Sequence, residues 1–419
     1  MSVLQDRDNF HELLQKQYES LDPTPYQEMG WNRYLELGLP TKKTEVFRYI
    51  KLRSLFALKA QKTEPTSLTK EQIAPHVLPE CQKSVLVFVN GHYFPSLSQM
   101  EAIPDKVSVV PLQDAAKTYG TFLTNHWTKS LGEEQDPFVA LNSALQGCGA
   151  FLYVPPKTII ESPIQILNVI TGSGTLAVPR IQSFLGAQCD VKIISSHVVL
   201  EGDSHGINHV NDFHCEEGSR VTLYQTALGD ITRCWHLEAT RATLKRDCYF
   251  ETVKISQGSL TTRYDYKVHL LGENSEVSLN SLNLLHEKHE THDNVLIHHH
   301  VPNCRSNQLY KNVLFDKSHA SFEGKIYVER EAQQTEAYQL NANLLLSENA
   351  RAESKPNLEI FADDVRASHG ATFGQLEEEE IFYLKTRGLS EEVAKNSLIR
   401  GFCQEVLDKM AIPSLVSCI

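Results

Sequence analysis

With 419 residues, 41% hydrophobic side chains and a formal charge of -12, the chain can bury a large core, and its length suggests two or three structural units. The acidic balance argues against nucleic acid or an anionic membrane surface as the main partner, since both require clustered Lys and Arg. No apolar run approaches the ~18 residues needed to cross a bilayer, and Met1 to Tyr18 lacks the apolar centre of a signal peptide, so a cytosolic or stromal location is expected.

Residues 1–150 read as a mostly helical region. Phe10, Leu13, Leu14 and Tyr18 recur at helical spacing, as do Trp31, Tyr34, Leu35 and Leu37, and Gly38 followed by Pro40 stops the second helix. Ser84 to Tyr93 reads as a strand with an Asn90-Gly91 turn. Helical spacing returns over Gln113 to Gln146, broken near Gly132 to Asp136, with Phe138, Leu141 and Leu145 on one stripe.

From Phe151 the texture changes. Strand-like runs succeed one another at Ile164–Ile170, Val191–Ser195, Arg220–Tyr224, Glu276–Leu279, Ala320–Glu329 and Glu336–Leu346. In Ala320–Glu329 the residues Ala320, Phe322, Gly324, Ile326 and Val328 share one face, the pattern of a half-buried strand. Many short strands without crossover helices favour a parallel β-helix over residues 151–374; a large antiparallel barrel or two sandwiches stay open, because no strict sequence repeat is visible.

Near the end of this region, Leu358 and Ile360 alternate with Glu359 and Phe361, and Asp363-Asp364 reads as a turn. A strand from Val365 then places Val365, Ala367 and His369 on one face and Arg366 and Ser368 on the other. Residues 375–419 are helical again. Glu377–Lys385 ends at Gly388, Ser390 caps the next helix, and Ile399, Phe402, Cys403, Val406, Leu407 and Met410 form one apolar face. That face either packs on the rungs as a cap or meets a partner.

The chemistry-bearing motifs are few. Gly202-Asp203-Ser204-His205-Gly206 fits G-x-S-x-G, but Ile207 to Cys215 continues in strand-like style where a nucleophile elbow needs a helix. His286, His289, His292, His298, His299 and His300 crowd one segment without H-E-x-x-H spacing. On a strand, His298 and His300 share a face that His299 opposes. Nine scattered cysteines without a C-x-x-C pair read as reduced, often buried thiols, not as a cluster or zinc scaffold. No Walker A or G-x-G-x-x-G loop is present. Asp363 and Asp364 could serve a carbohydrate-active β-helix enzyme, but strand neighbours point to opposite faces and no secretion signal accompanies them. A plain solenoid or cupin-like binding module is the third class.

The runs Cys304–Lys311, Phe322–Val328, Asn343–Leu346, Lys355–Asp364, Ser368–Thr372, Phe382–Leu384 and Arg387-Gly388 resemble the SufB/SufD family of the SUF iron-sulfur cluster assembly machinery, and so do Gly38–Thr41, Val87–Gly91 and Phe138–Asn142. The resemblance implies a right-handed parallel β-helix between two helical regions. It also implies a non-catalytic scaffold that pairs with SufB through the β-helix and docks the SufC ATPase through its C-terminal helices, for which Gly388, Ile399, Phe402 and Val406 are the candidates. The isolated chain is expected to hold no tight cofactor and to be able to form a homodimer. A transient iron-sulfur cluster is expected at the SufB interface, with His369 as the contributing residue. The cysteine of SufB falls at Ile360, whose aliphatic side chain cannot ligate iron, so the chain resembles the SufD type. Many SufD sequences carry a cysteine at the position of Ala367, so His369 would act without that neighbour. A lone neutral imidazole facing a partner's thiolate makes a labile site suited to handing a cluster on.

Overall fold

The computed structural model describes residues 3–58, 66–146, 149–202, 204–228 and 234–417. At its centre is a parallel β-solenoid of about 8 turns with helices at both ends of the chain, so neither the antiparallel barrel nor the paired sandwiches apply. From Arg180–Leu185 onward, successive strands alternate between two sheets. One sheet runs from Val85–Val89 through Ile164–Ile170 and Asp190–Val199 to Val365–Gly374; the other runs from Ala150–Val154 through Cys234–Leu244 to Arg351–Ile360. The first of these strands precedes residue 150: Val85–Val89 pairs in parallel with Ile164–Ile170, so the solenoid begins inside the mostly helical N-terminal region.

A hidden period explains the winding. Lys157, Gln188, Gly218, Asp247, Asn274, Asn303 and Gln334 all have positive φ and all sit at the corner leading from the second sheet to the first. They recur roughly every 30 residues, one per coil, in a conformation that Gly, Asn and Asp adopt with least strain. Backbone hydrogen bonds stack these corners, as from Gln188 N to Glu217 O and from Asn303 N to Gln333 O. The expected Asn90-Gly91 turn is present too, with both residues at positive φ, closing a small hairpin.

The outer faces of the two sheets are covered by different parts of the chain. Phe10, Leu14, Trp31, Tyr34, Phe138 and Leu141 of the N-terminal helices pack on Trp235 and Leu237 of the second sheet. Leu35 departs from the expected stripe and is exposed. The outer face of the first sheet takes the C-terminal helix Glu391–Leu407, whose Cys403 and Val406 pack with Leu309, Val313 and Leu344. Ser390 accepts from Val393 N to start that helix, and Gly388 at φ +92 ends the one before it.

The lumen is divided lengthwise. One side is apolar, built from Ile193, Leu223, Phe250, Leu279, Phe213 and Val268. The other is a fully buried polar strip in which Asn283 donates to Asn312 Oδ1 and Asn312 to Asn343 Oδ1, each at 2.7 Å. Space there is tight at Gly324: an added Cβ would collide with Gln339 Nε2 and lie 2.6 Å from Phe322 Cζ. Gln339 is itself held by a 2.9 Å hydrogen bond to Gln308. Gly324→Ala is therefore expected to cost about 1–3 kcal/mol of stability, measured by chemical unfolding; a neutral change would mean the strip yields freely.

Candidate functional site

Among the described residues, the last coil has nothing above it. Arg351–Ile360 pairs with His319–Val328 alone, and Val365–Gly374 with Thr335–Leu345 alone, so both strands stand at sheet edges. Each presents a row of unpaired backbone groups on one side, the kind of edge another chain can extend. Pro356 fits this position, since proline is tolerated in edge strands. The C-terminal helices lie along the side of the solenoid and leave this end open.

His369 lies in this open layer. Its register partner is Gln339, which is 3% exposed and belongs to the inward-facing column, whereas the neighbours Tyr338 and Leu340 face outward at 40% and 39%. The imidazole therefore continues the lumen column of Gln308 and Gln339, and it is exposed because no further coil covers it. Ile360 and Ala367 pack with Val365 and Ala337 in one small cluster on the same layer. The three positions that the resemblance singles out, Ile360, Ala367 and His369, thus lie on one terminal surface. Asp363 and Asp364 are both exposed in the connecting turn.

Around this end are large apolar side chains that the sequence patterns did not single out. Phe361 and Phe373 are 55% and 53% exposed, and together with Tyr338 and Leu340 they give the open end an apolar surface. Phe361 could have been noticed as the second of two adjacent apolar residues at the end of an alternating run.

The expected docking residues divide. Val406 is fully buried against the chain's own sheet, and Ile399 and Phe402 are half-buried in the same cluster. The reason is that the apolar face Ile399–Met410 is consumed by Leu309 and Val313. Gly388 is exposed, and near it in sequence Phe382, Tyr383 and Val393 are 69%, 57% and 48% exposed. These four mark the free side of the helical pair.

The motif Gly202–Gly206 opens the strand His205–Cys215, with Ser204 at φ +62 and a strand where the elbow would need a helix; Asp203 lies outside the described residues. The histidine-rich segment is a strand over Glu290–His299, where His299 turns inward and pairs with Ser306 Oγ at 2.9 Å. His298 and His300 stack with ring centroids 3.6 Å apart, and His300 meets His269 of the adjacent strand at 2.9 Å. The seven cysteines among the described residues are free and buried; Cys148 and Cys418 lie outside them.

Burial, reinforced by neighbouring cationic groups, pushes His269 and His299 down to about 3 from 6.5. Both imidazoles stay neutral in the fold while the unfolded chain takes up protons, so stability is complete above about pH 6.5 and falls as the pH drops towards 3. Each contributes a slope of up to about 1.4 kcal/mol per pH unit once the unfolded chain is protonated. Unfolding midpoints measured between pH 7 and 4.5 are expected to fall, and His299→Gln to flatten the decline.

Comparison with known proteins adds an independent line. The family model described as "SUF system FeS cluster assembly, SufBD core domain" matches residues 168–402, and "SufBD protein N-terminal region" matches residues 12–166. The chain is 29% identical over 394 residues to an iron-sulfur cluster assembly SufBD family protein of Synechocystis, covering 90% of this chain and 85% of that one. It is 25% identical over 415 residues to the iron-sulfur cluster assembly protein SufD of Escherichia coli, covering 94% and 90% of the two chains. It is 27% identical over 395 residues to a protein of Arabidopsis thaliana named "Protein ABCI7, chloroplastic", covering 88% and 79%.

Proposed function

Because the chain belongs to the SufB/SufD family of iron-sulfur cluster assembly proteins, we propose that it is the SufD-type, non-catalytic scaffold of a SufBCD complex and that its open coil is where SufB joins. The observation that carries this reading is His369: an exposed imidazole at the head of a lumen column, on a layer whose two strands both have a free edge. Pairing edge to edge with a second solenoid would satisfy those backbone groups and bury Phe361 and Phe373. It would also enclose His369 in the seam, where a thiolate from SufB supplies the sulfur ligand that Ile360 and Ala367 do not. An isolated chain with the same edges exposed would form a homodimer through them. The carbohydrate-active alternative is not favoured by the family.

Iron and sulfide are the cargo of this seam. The neutral imidazole donates its free nitrogen pair to iron and leaves again, since one imidazole among sulfur ligands holds a cluster less firmly than a full set of thiolates. The SufC ATPase would dock on the free side of the helical pair, at Phe382, Tyr383, Gly388 and Val393, within a complex in the cytoplasm.

His369→Ala removes the ligand without touching the packed layer beneath. The co-expressed complex should elute at the size of the native assembly while its yield of reconstituted cluster falls about tenfold or more, read from visible absorbance and iron content. An unchanged yield would remove His369 from the site.

A further inference from the structure

Deep in the lumen, far from the open coil in sequence, three ligand-type side chains converge on one point. Glu238 Oε2 stands 3.2 Å from His197 Nε2 and 3.2 Å from His236 Nε2, and all three side chains are fully buried. His197 comes from Asp190–Val199 in one sheet, whereas His236 and Glu238 share the inward face of Cys234–Leu244 in the other. The second carboxylate oxygen is already committed: Oε1 accepts from Ser195 Oγ at 2.9 Å, Asn211 Nδ2 at 2.9 Å and Gln225 Nε2 at 2.8 Å. Those bonds fix the carboxylate so that Oε2 is aimed between the two imidazoles. His209 closes a further side, with Nδ1 3.8 Å from Glu238 Oε1.

Two features are hard to reconcile with a simple hydrogen-bonded core. His236 Nε2, although 3.2 Å from Glu238 Oε2, is a buried ring nitrogen without a hydrogen-bond partner. The charge is unbalanced as well. Lys254, on the strand that follows, is paired with Asp293, so among the described residues Glu238 touches no Lys or Arg, only imidazoles and neutral donors. A buried carboxylate without a cation is costly.

We propose that His197, His236 and Glu238 form the binding site of one divalent first-row transition ion, of the zinc or iron(II) class, held permanently inside the solenoid. Bonds of about 2.0–2.1 Å meeting at a tetrahedral angle place ligand atoms about 3.3 Å apart, close to the 3.2 Å from Glu238 Oε2 to each imidazole nitrogen, and all three ligand atoms lie within 4.8 Å of one another. Two imidazoles and one carboxylate are a donor set that both ions accept, with a fourth position turned towards His209. The ion would balance Glu238 and clamp the two sheets together, a structural role separate from the cargo iron at His369. The competing occupant of the same space is a proton on one imidazole, and it predicts no metal.

The test uses the full chain, refolded from denaturant with Zn2+, with Fe2+ under anaerobic conditions, with Co2+, or with EDTA, then desalted and assayed for metal. About one equivalent of zinc or iron is expected per chain, with visible bands of tetrahedral cobalt and a higher thermal midpoint than the EDTA sample. His236→Ala and Glu238→Gln are expected to lose the metal, and His369→Ala to keep it. Wild-type chain that is folded by circular dichroism yet holds less than about a tenth of an equivalent under all three metals overturns the site, and this outcome does not depend on any buried variant folding. Full retention by His236→Ala would overturn it too.

Discussion

Replacing Arg241 with alanine is expected to cost about 3–5 kcal/mol of folding stability. Its guanidinium bridges the N-terminal region to the solenoid: Nε lies 2.7 Å from Glu134 Oε2, and Nη2 lies 2.6 Å from Asp265 Oδ2. Arg263 completes the network, 2.5 Å from Asp136 and 2.8 Å from Asp265. Glu134 and Asp136 sit at the break between two N-terminal helices, whereas the arginines belong to the coils, so the four-way pairing fixes how one region lies on the other. Removing Arg241 leaves three buried carboxylates and one guanidinium, Arg263, which touches only Asp136 and Asp265, so Glu134 is stranded and the cost exceeds that of a surface pair. Chemical unfolding would measure it. Arg241→Ala placed in a Glu134→Gln background should cost appreciably less, and a loss below about 1 kcal/mol in the single variant would show that water reaches the network.

The same network ties stability to acid. Burial raises the Asp265 carboxyl, but Arg263 and Arg241 outweigh it and hold the group below the usual carboxylate range. A depressed folded value means that this carboxylate's contribution is complete above about pH 4 and is lost as the pH falls below it. This window opens below that of the buried histidines, so the loss of stability with acid should begin with the imidazoles and steepen below about pH 4.

Val406→Asp is expected to be the second severe change and to differ in kind from Phe382→Asp. Val406 is fully buried between Leu309 and Val313, where a carboxylate has no cation partner; several kcal/mol should be lost and the C-terminal helix should detach. Phe382 is 69% exposed, so its replacement should shift stability by less than about 0.5 kcal/mol while releasing the ATPase from the co-purified complex. Thermal melts and pull-downs on both variants separate the packing role of this tail from its proposed docking role. If Phe382→Asp retains the ATPase at native stoichiometry, docking lies elsewhere; if Val406→Asp melts like the wild type, the helix does not depend on the sheet beneath it.

How much of this could be read beforehand varies by element. The helices were legible because their apolar residues recur at helical spacing over several turns, as at Trp31 and Tyr34, and because glycine or serine marks their ends. Ala320–Glu329 was legible because its inner residues are apolar in the usual way. Cys234–Leu244 was not. There Trp235 and Leu237 face outward under the N-terminal helices while His236 and Glu238 face inward, so the alternation exists with its polarity reversed. The coil period was hidden for a related reason. It is carried by backbone conformation at corners occupied by Lys, Gln, Gly, Asp and Asn alike, and by the asparagines 283, 312 and 343, not by a repeated motif. The period of two placed His369 on one face with Val365 and Ala367, and the pairing with Gln339 shows that this face is the inner one. Its exposure did not, because that depends on there being no coil beyond it.

The recurring corner has one last consequence, for how such a molecule can change length over evolutionary time. Gain or loss of a whole coil between equivalent corners, such as Asn303 and Gln334, would preserve the column every other side chain belongs to. The terminal imidazole would then advance or retreat along the axis by about 4.8 Å, the spacing of neighbouring strands, so its reach towards a companion molecule is adjustable only in whole steps.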